Sequence, residues 1–396
     1  MDVKKIGLVL MLAVMPLLLV FAGGDSETVP AEESPVAVAE VVDMNEDWDQ
    51  IYASAQEEGK VTVYSLSSRI FDAVENFKTL YPGVEVEAID ISSIDQIEKL
   101  TREQNAGLYN VDVVFLSGRT ILEKELLPKG MVVNYVPSTL LGGQKSVDVI
   151  PENLRYPLLV HSLESKVIFY NTETFAEAPV DNLWDLTTPE WNGRVQMKDP
   201  MASPENMRFL QMAVKNADSM AKAYKDKFGE DITLSSGVEN AGLEWILRLI
   251  ENNLVLTTSD GTGAKAVGAR EQTNPPLTLS CASSKLRYND SKDTVLGIAW
   301  DVEPAAGLTK ANFVLMANNA PHPNAAKLLI RYMLGAVDES GGFGPFRVPG
   351  QWASRSDIIP ITDEDAEEVQ QHTWVQDADF IYNEGLQIRD FWLSIQ

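Results

Sequence analysis

The chain has 396 residues, 45% of them hydrophobic and 23% charged, the balance of a soluble globular protein with more chain than one ordinary core needs. Its formal charge of −26, from 32 basic and 58 acidic residues, argues against nucleic acid or an anionic membrane surface as partner. Charges are screened beyond ~8 Å at physiological salt, so the same figure leaves open what a small ligand meets locally.

Lys4 and Lys5 precede an apolar run from Ile6 to Ala22. This reads as a secretory signal over residues 1–22, with Val20 and Ala22 as the small residues before a cut at Gly23; an uncleaved anchor is the alternative for a run of that length. The one cysteine is Cys281, so no lipid-attachment cysteine follows the signal, and neither an intrachain disulfide nor a multi-cysteine metal site can form. Within Leu277–Ala282, Cys281 reads as a small buried apolar residue. Residues 23–47 are rich in Glu, Asp, Ala, Val and Pro, and no Lys or Arg occurs between Lys5 and Lys60, as in a solvated acidic linker.

Folding is expected to begin near Trp48, where Trp48, Ile51, Tyr52 and Ala55 share a helical face. The run Val61–Tyr64 predicts a strand that breaks at Ser65–Ser68, and Ile70, Phe71, Val74, Phe77 and Leu80 then recur at helical spacing. A serine before that helix, Ser67 or Ser68, can cap it, and first-turn N–H groups also suit an anion. A second strand is expected from Val84 to Ile91, followed by a Ser93-x-x-Gln96 capping box. The apolar run Val111–Leu116 predicts a strand covered on both faces and ending at Ser117-Gly118. In an open α/β sheet the ligand crevice lies at such carboxyl ends.

A strand from Lys166 to Tyr170 ends at Asn171-Thr172, and a second α/β region then opens with Leu183-Trp-Asp-Leu186 and Pro189-Glu-Trp191. Ser203-Pro204 signals a helix start, and Ser259-Asp-Gly-Thr-Gly263 runs into another. The strand Leu277–Cys281 ends at the hydroxyl pair Ser283-Ser284, Leu296–Trp300 is a further strand, and Pro323 begins a helix with His322 before it. The three histidines fall in no metal-ligand spacing and no Gly-x-Ser-x-Gly elbow occurs, which leaves hydrolysis as the minor alternative function.

These motifs come in a recognisable order: strand then serine after Val61, Phe169-Tyr-Asn171, Leu183-Trp-Asp-Leu186 with Pro189-Glu-Trp191, Asp199-Pro200, Asp260-Gly-Thr-Gly263, and Pro321-His-Pro-Asn-Ala-Ala-Lys327. From about Trp48 to Ile359 the chain resembles the periplasmic solute-binding proteins of ABC importers, in the subgroup labelled ferric-ion binding. The resemblance implies an α/β fold of the two-lobe type II class with hinge-crossing strands near 165–170 and 302–313. Residues 48–165 plus 312–345 would form one lobe and 166–311 plus 346–396 the other. It also implies a monomer outside the cytoplasm that passes a small solute to a membrane permease, without cofactor or catalysis.

Ferric binders of this subgroup use a tyrosine pair, often with a histidine and a carboxylate. Those positions fall at or near Ser68, Ser117 and Ser283-Ser284, and neutral hydroxyls suit an oxyanion better than a trivalent cation. The expected ligand set is therefore Ser67, Ser68, Arg69, Ser117, Ser203, Asp260, Thr262, Ser283 and Ser284, around an anionic or phosphorylated solute. Ferric iron or an iron chelate is the alternative.

Overall fold

A computed structural model describes residues 46–362 and 366–396. The expected signal and the linker up to residue 45 lie outside them. The last two linker residues belong to the folded part: the Glu46 carboxylate accepts from Ser138 N at 2.7 Å, and Asp47 caps the helix Trp48–Glu58. Among the described residues no helix is long and apolar enough to cross a membrane.

Eight strands form the spine: β1 (Lys60–Ser65), β2 (Glu85–Asp90), β3 (Val113–Leu116), β4 (Val160–Asn171), β5 (Val195–Lys198), β6 (Val255–Thr257), β7 (Leu277–Ala282) and β8 (Gly307–Ala317). Their lateral order is β2-β1-β3-β8-β4-β7-β5-β6. Two parallel wings, β2-β1-β3 and β7-β5-β6, are joined through the long antiparallel strands β8 and β4. The inner strands β3 and β7 are buried throughout, as expected where helices cover both faces, whereas the edge strands β2 and β6 are largely exposed or half-buried.

The two long strands read differently. Side chains alternate along a strand, so Ser162, Glu164 and Lys166 of β4 share one face. The register sets Lys310 of β8 opposite Glu164 and Asn312 opposite Ser162. A polar stripe thus crosses the centre of the sheet.

Each wing has its own core. Ile51, Phe77, Leu328 and Tyr332 pack in the first, and Trp184, Trp191, Trp245 and Trp392 in the second. The segment 346–396 divides between them. Phe346 belongs to the first core with Ala353 and Ile358 against it, whereas Ile381, Ile388 and Trp392 of the helix Ala378–Ser394 join the second. Phe346 is drawn to the first core by ring contacts to Phe115 and His161, at centroid distances of 5.2 and 4.9 Å.

Two local expectations shift. The helix expected through Leu80 breaks into Arg69–Val74 and Phe77–Leu80, and Phe71 and Leu80 face outward, at 50% and 46% exposure. The cap of the helix Ser93–Asn105 is Ser92, which accepts from Asp95 N at 3.2 Å. That leaves the Ser93 hydroxyl free to accept from Ser117 N at 3.0 Å, while Gln96 Nε2 donates to the Ile91 and Phe115 carbonyls.

Candidate functional site

The carboxyl ends of β1, β3, β5 and β7 open on one cleft of about 430 Å³. One wing supplies Ser67 and Arg69 after β1, Ser93 at its helix start, and Ser117-Gly118 after β3. The other supplies Lys198 at the end of β5, Ser203 and Arg208 of the next helix start, Asp260 after β6, and Ser284, Lys285, Arg287 and Tyr288 after β7. Glu164 and Lys166 of β4 and Lys310 of β8 line it between the two wings. Arg208 Nη2 comes within 3.9 Å of where a Cβ on Gly118 would stand, so the two wings approach each other there.

Seven lining residues are cations (Arg69, Lys166, Lys198, Arg208, Lys285, Arg287, Lys310) and three are acids (Glu164, Glu205, Asp260), an excess of four positive charges inside a chain of net −26. Each acid has a cation of its own. Lys166 Nζ lies 2.8 Å from Asp260 Oδ2, Arg208 Nη1 lies 2.6 Å from Glu205 Oε1, and Lys310 pairs with Glu164 Oε1. Glu164 Oε2 also accepts from Ser284 Oγ at 2.6 Å. Burial alone would raise the Glu164 carboxyl, but Lys310, Ser284 and Arg69 hold it well below the usual carboxylate range.

Arg69, Lys198, Lys285 and Arg287 form no direct ion pair with an acid among the described residues. The Arg69 guanidinium lies over the Phe346 ring, 4.8 Å from its centroid. Lys285 and Arg287 each lie 5.2 Å from the Tyr288 centroid. Burial, opposed by Glu164 and reinforced by Arg287, lowers Arg69 to about 10. Burial, opposed by Asp260 and reinforced by Lys166, Lys310 and Lys285, lowers the Lys198 ammonium below the usual lysine value. Cations crowded against their own preference are the arrangement a bound anion relieves.

Of the nine expected ligand residues, Ser67, Arg69, Ser117, Ser203, Asp260 and Ser284 line the cleft and Ser68, Thr262 and Ser283 do not. Ser68 is an exposed residue before a helix of six residues, too short for an anion site of its own. Thr262 is exposed, and its hydroxyl lies 2.9 Å from Ser259 Oγ at the helix start. Ser283 is buried, accepting from Ser165 N at 2.9 Å and donating to the Gly350 carbonyl. Asp260 serves Lys166 rather than standing free. Cys281 is buried as expected, its thiol pushed up by burial.

Six cleft cations lie outside the expected set, and for two of them, Lys166 and Lys310, the sequence carries a signal together with the acid Glu164. Glu164, Lys166 and Lys310 interrupt apolar strands at a two-residue period, a pattern a buried strand does not carry for packing alone.

Residues 72–338 match the model of the family described as bacterial extracellular solute-binding protein, and the chain belongs to that family. Iron-bound HitA from Pseudomonas aeruginosa has the same fold, with a TM-score of 0.64 at 14% identity, covering 85% of this chain and 99% of that one. So does the apo ferric ion-binding protein A of Pasteurella haemolytica, at 0.60 and 15%, with 85% and 98% covered. AgtB from A. tumefaciens in complex with agropinic acid follows at 0.58 and 13%, also with 85% and 98% covered. No curated protein matches the chain in sequence.

Proposed function

We propose that this solute-binding protein captures a small anion rich in acceptor oxygens, a phosphate ester or comparable oxyanion, and delivers it to a membrane permease of the ABC class. The observation that carries the reading is the set of four cleft cations in no direct ion pair with an acid among the described residues, inside a strongly acidic chain. The three cleft acids, Glu164, Glu205 and Asp260, are already paired with Lys310, Arg208 and Lys166, so none of them is in direct contact with these four. An arginine fork and ammonium groups suit phosphate or carboxylate oxygens.

The two wings act as lobes hinged on β4 and β8. Contacts from Arg69 and Ser117 on one side and Lys198, Ser203 and Arg287 on the other are completed together only when the lobes close, so the ligand favours closure. Ferric iron is the weaker reading: among the described residues no group of three or more His, Cys, Asp or Glu is placed to hold a metal ion, and the cation excess would repel one. A carrier rather than a catalyst is supported by the histidines. None of the three lines the cleft, and both ring nitrogens of buried His161 are engaged.

The test is native mass spectrometry of gently purified protein, followed by thermal shift with inorganic phosphate, glucose 6-phosphate, glycerol 3-phosphate, thiamine and ferric citrate. A phosphate compound at a hundred times its Kd stabilises by about 2.7 kcal/mol and raises the midpoint. A midpoint raised by ferric citrate alone, or a coloured protein holding one iron per chain, overturns the reading.

A further inference from the structure

Behind Arg69 runs a chain of hydrogen bonds whose donors all point the same way. His161 Nε2 lies 3.1 Å from the Met333 carbonyl, which can only accept, so Nε2 carries the proton and Nδ1 is an acceptor. The Ser162 hydroxyl, 3.1 Å from Nδ1, is therefore the donor there. Its oxygen in turn accepts from Gln351 Nε2 at 2.9 Å. That fixes the Gln351 amide with Oε1 toward Arg69, whose Nη1 donates to it at 2.8 Å. Arg69 Nε donates to Ser67 Oγ at 3.3 Å and Nη1 also to the Pro345 carbonyl at 3.4 Å. Only Nη2 has no partner among the described residues. Gln351 and Ser162 are both buried.

We propose that Gln351, oriented through Ser162 by His161, is a positioning residue that sets the plane of the Arg69 guanidinium and presents its Nη2 end to a bound anion. The inference rests on the anion reading of the cleft. A neutral His161, held by burial at about 3 despite the Met333 carbonyl, keeps the order of donors unchanged over the working pH range.

The test is a double-mutant cycle on the whole protein, with Kd measured by calorimetry for inorganic phosphate, glucose 6-phosphate and glycerol 3-phosphate. Arg69→Ala is expected to weaken the best probe about 100-fold and Gln351→Ala about 10-fold, the range of charge-assisted hydrogen bonds. If Gln351 acts through Arg69, the double variant stays near 100-fold, because Gln351 has nothing left to orient. Additive losses near 1,000-fold mean a merely structural Gln351 and overturn the positioning role while the anion reading stands. If no probe binds the unmutated protein, the anion reading falls and takes this inference with it. Should Gln351→Ala not fold, Gln351→Met keeps the volume without the amide and completes the same cycle.

Discussion

Arg69 and Lys198 face the same cleft from opposite wings, yet they are held in opposite ways. Arg69 is tied by Ser67, Pro345 and Gln351 and backed by Phe346, whereas the Lys198 ammonium has no hydrogen bond or ion pair among the described residues. One wall offers a donor of fixed direction, and the other a charge on a flexible stem. A site built this way reads shape on one side and tolerates variety on the other. The fixed side should therefore decide which anions bind, and the mobile side how strongly.

The largest effect should come from the ground both walls share. Lys310→Met leaves Glu164 buried without its main counter-charge and should cost about 3–5 kcal/mol in urea denaturation; a loss below about 1 kcal/mol would show that Ser284 and Asn312 alone can hold the carboxylate. Next, Arg69→Lys loses the fork and should weaken phosphate binding about 30-fold by calorimetry, against about threefold or less for Lys198→Arg. Equal losses would erase the distinction between the walls.

Lys198→Met should weaken phosphate about tenfold yet raise the melting midpoint of the ligand-free protein by roughly 1–3 °C, since it removes a desolvated, unpartnered cation. The smallest effect is on pH. The folded-state value of Lys198 is depressed, so the unfolded chain holds more protons, and stability rises with pH in the window just below the ordinary lysine value of about 10.5. That rise, taken as the difference between the original protein and Lys198→Met, should be measurable by thermal melts; no difference would mean that burial does not penalise the ammonium.

Much of the architecture could be read from the chain. Hydrophobic period and turn residues pointed to strands ending in serine, and Ser67, Ser117, Ser203 and Ser284 do meet in one cleft, because the ends of parallel strands converge wherever a sheet is wound this way. The charges were harder. Lys198 and Arg287 look like surface residues in sequence, and only the antiparallel register of β4 and β8, set by residues about 150 positions apart, brings Lys310 onto Glu164. Ser68, Thr262 and Ser283 all stand at helix starts, where each step turns the next side chain by roughly 100°, so a neighbour of a cleft residue can face away from the cleft. The capping box slipped by one for a similar reason: Ser92 and Ser93 are equivalent to a motif, and only the distance to Asp95 N separates them.

The reversal of sign between the cleft and the molecule around it gives salt two opposed jobs. An approaching anion first meets a repulsive halo from an acidic exterior, which added electrolyte thins, so arrival should quicken as ionic strength climbs from very low values. Once seated among Arg69, Lys198 and Arg287, the same anion is loosened by the same ions. Capture rate and residence time should therefore part company in a salt titration, the first improving while the second shortens.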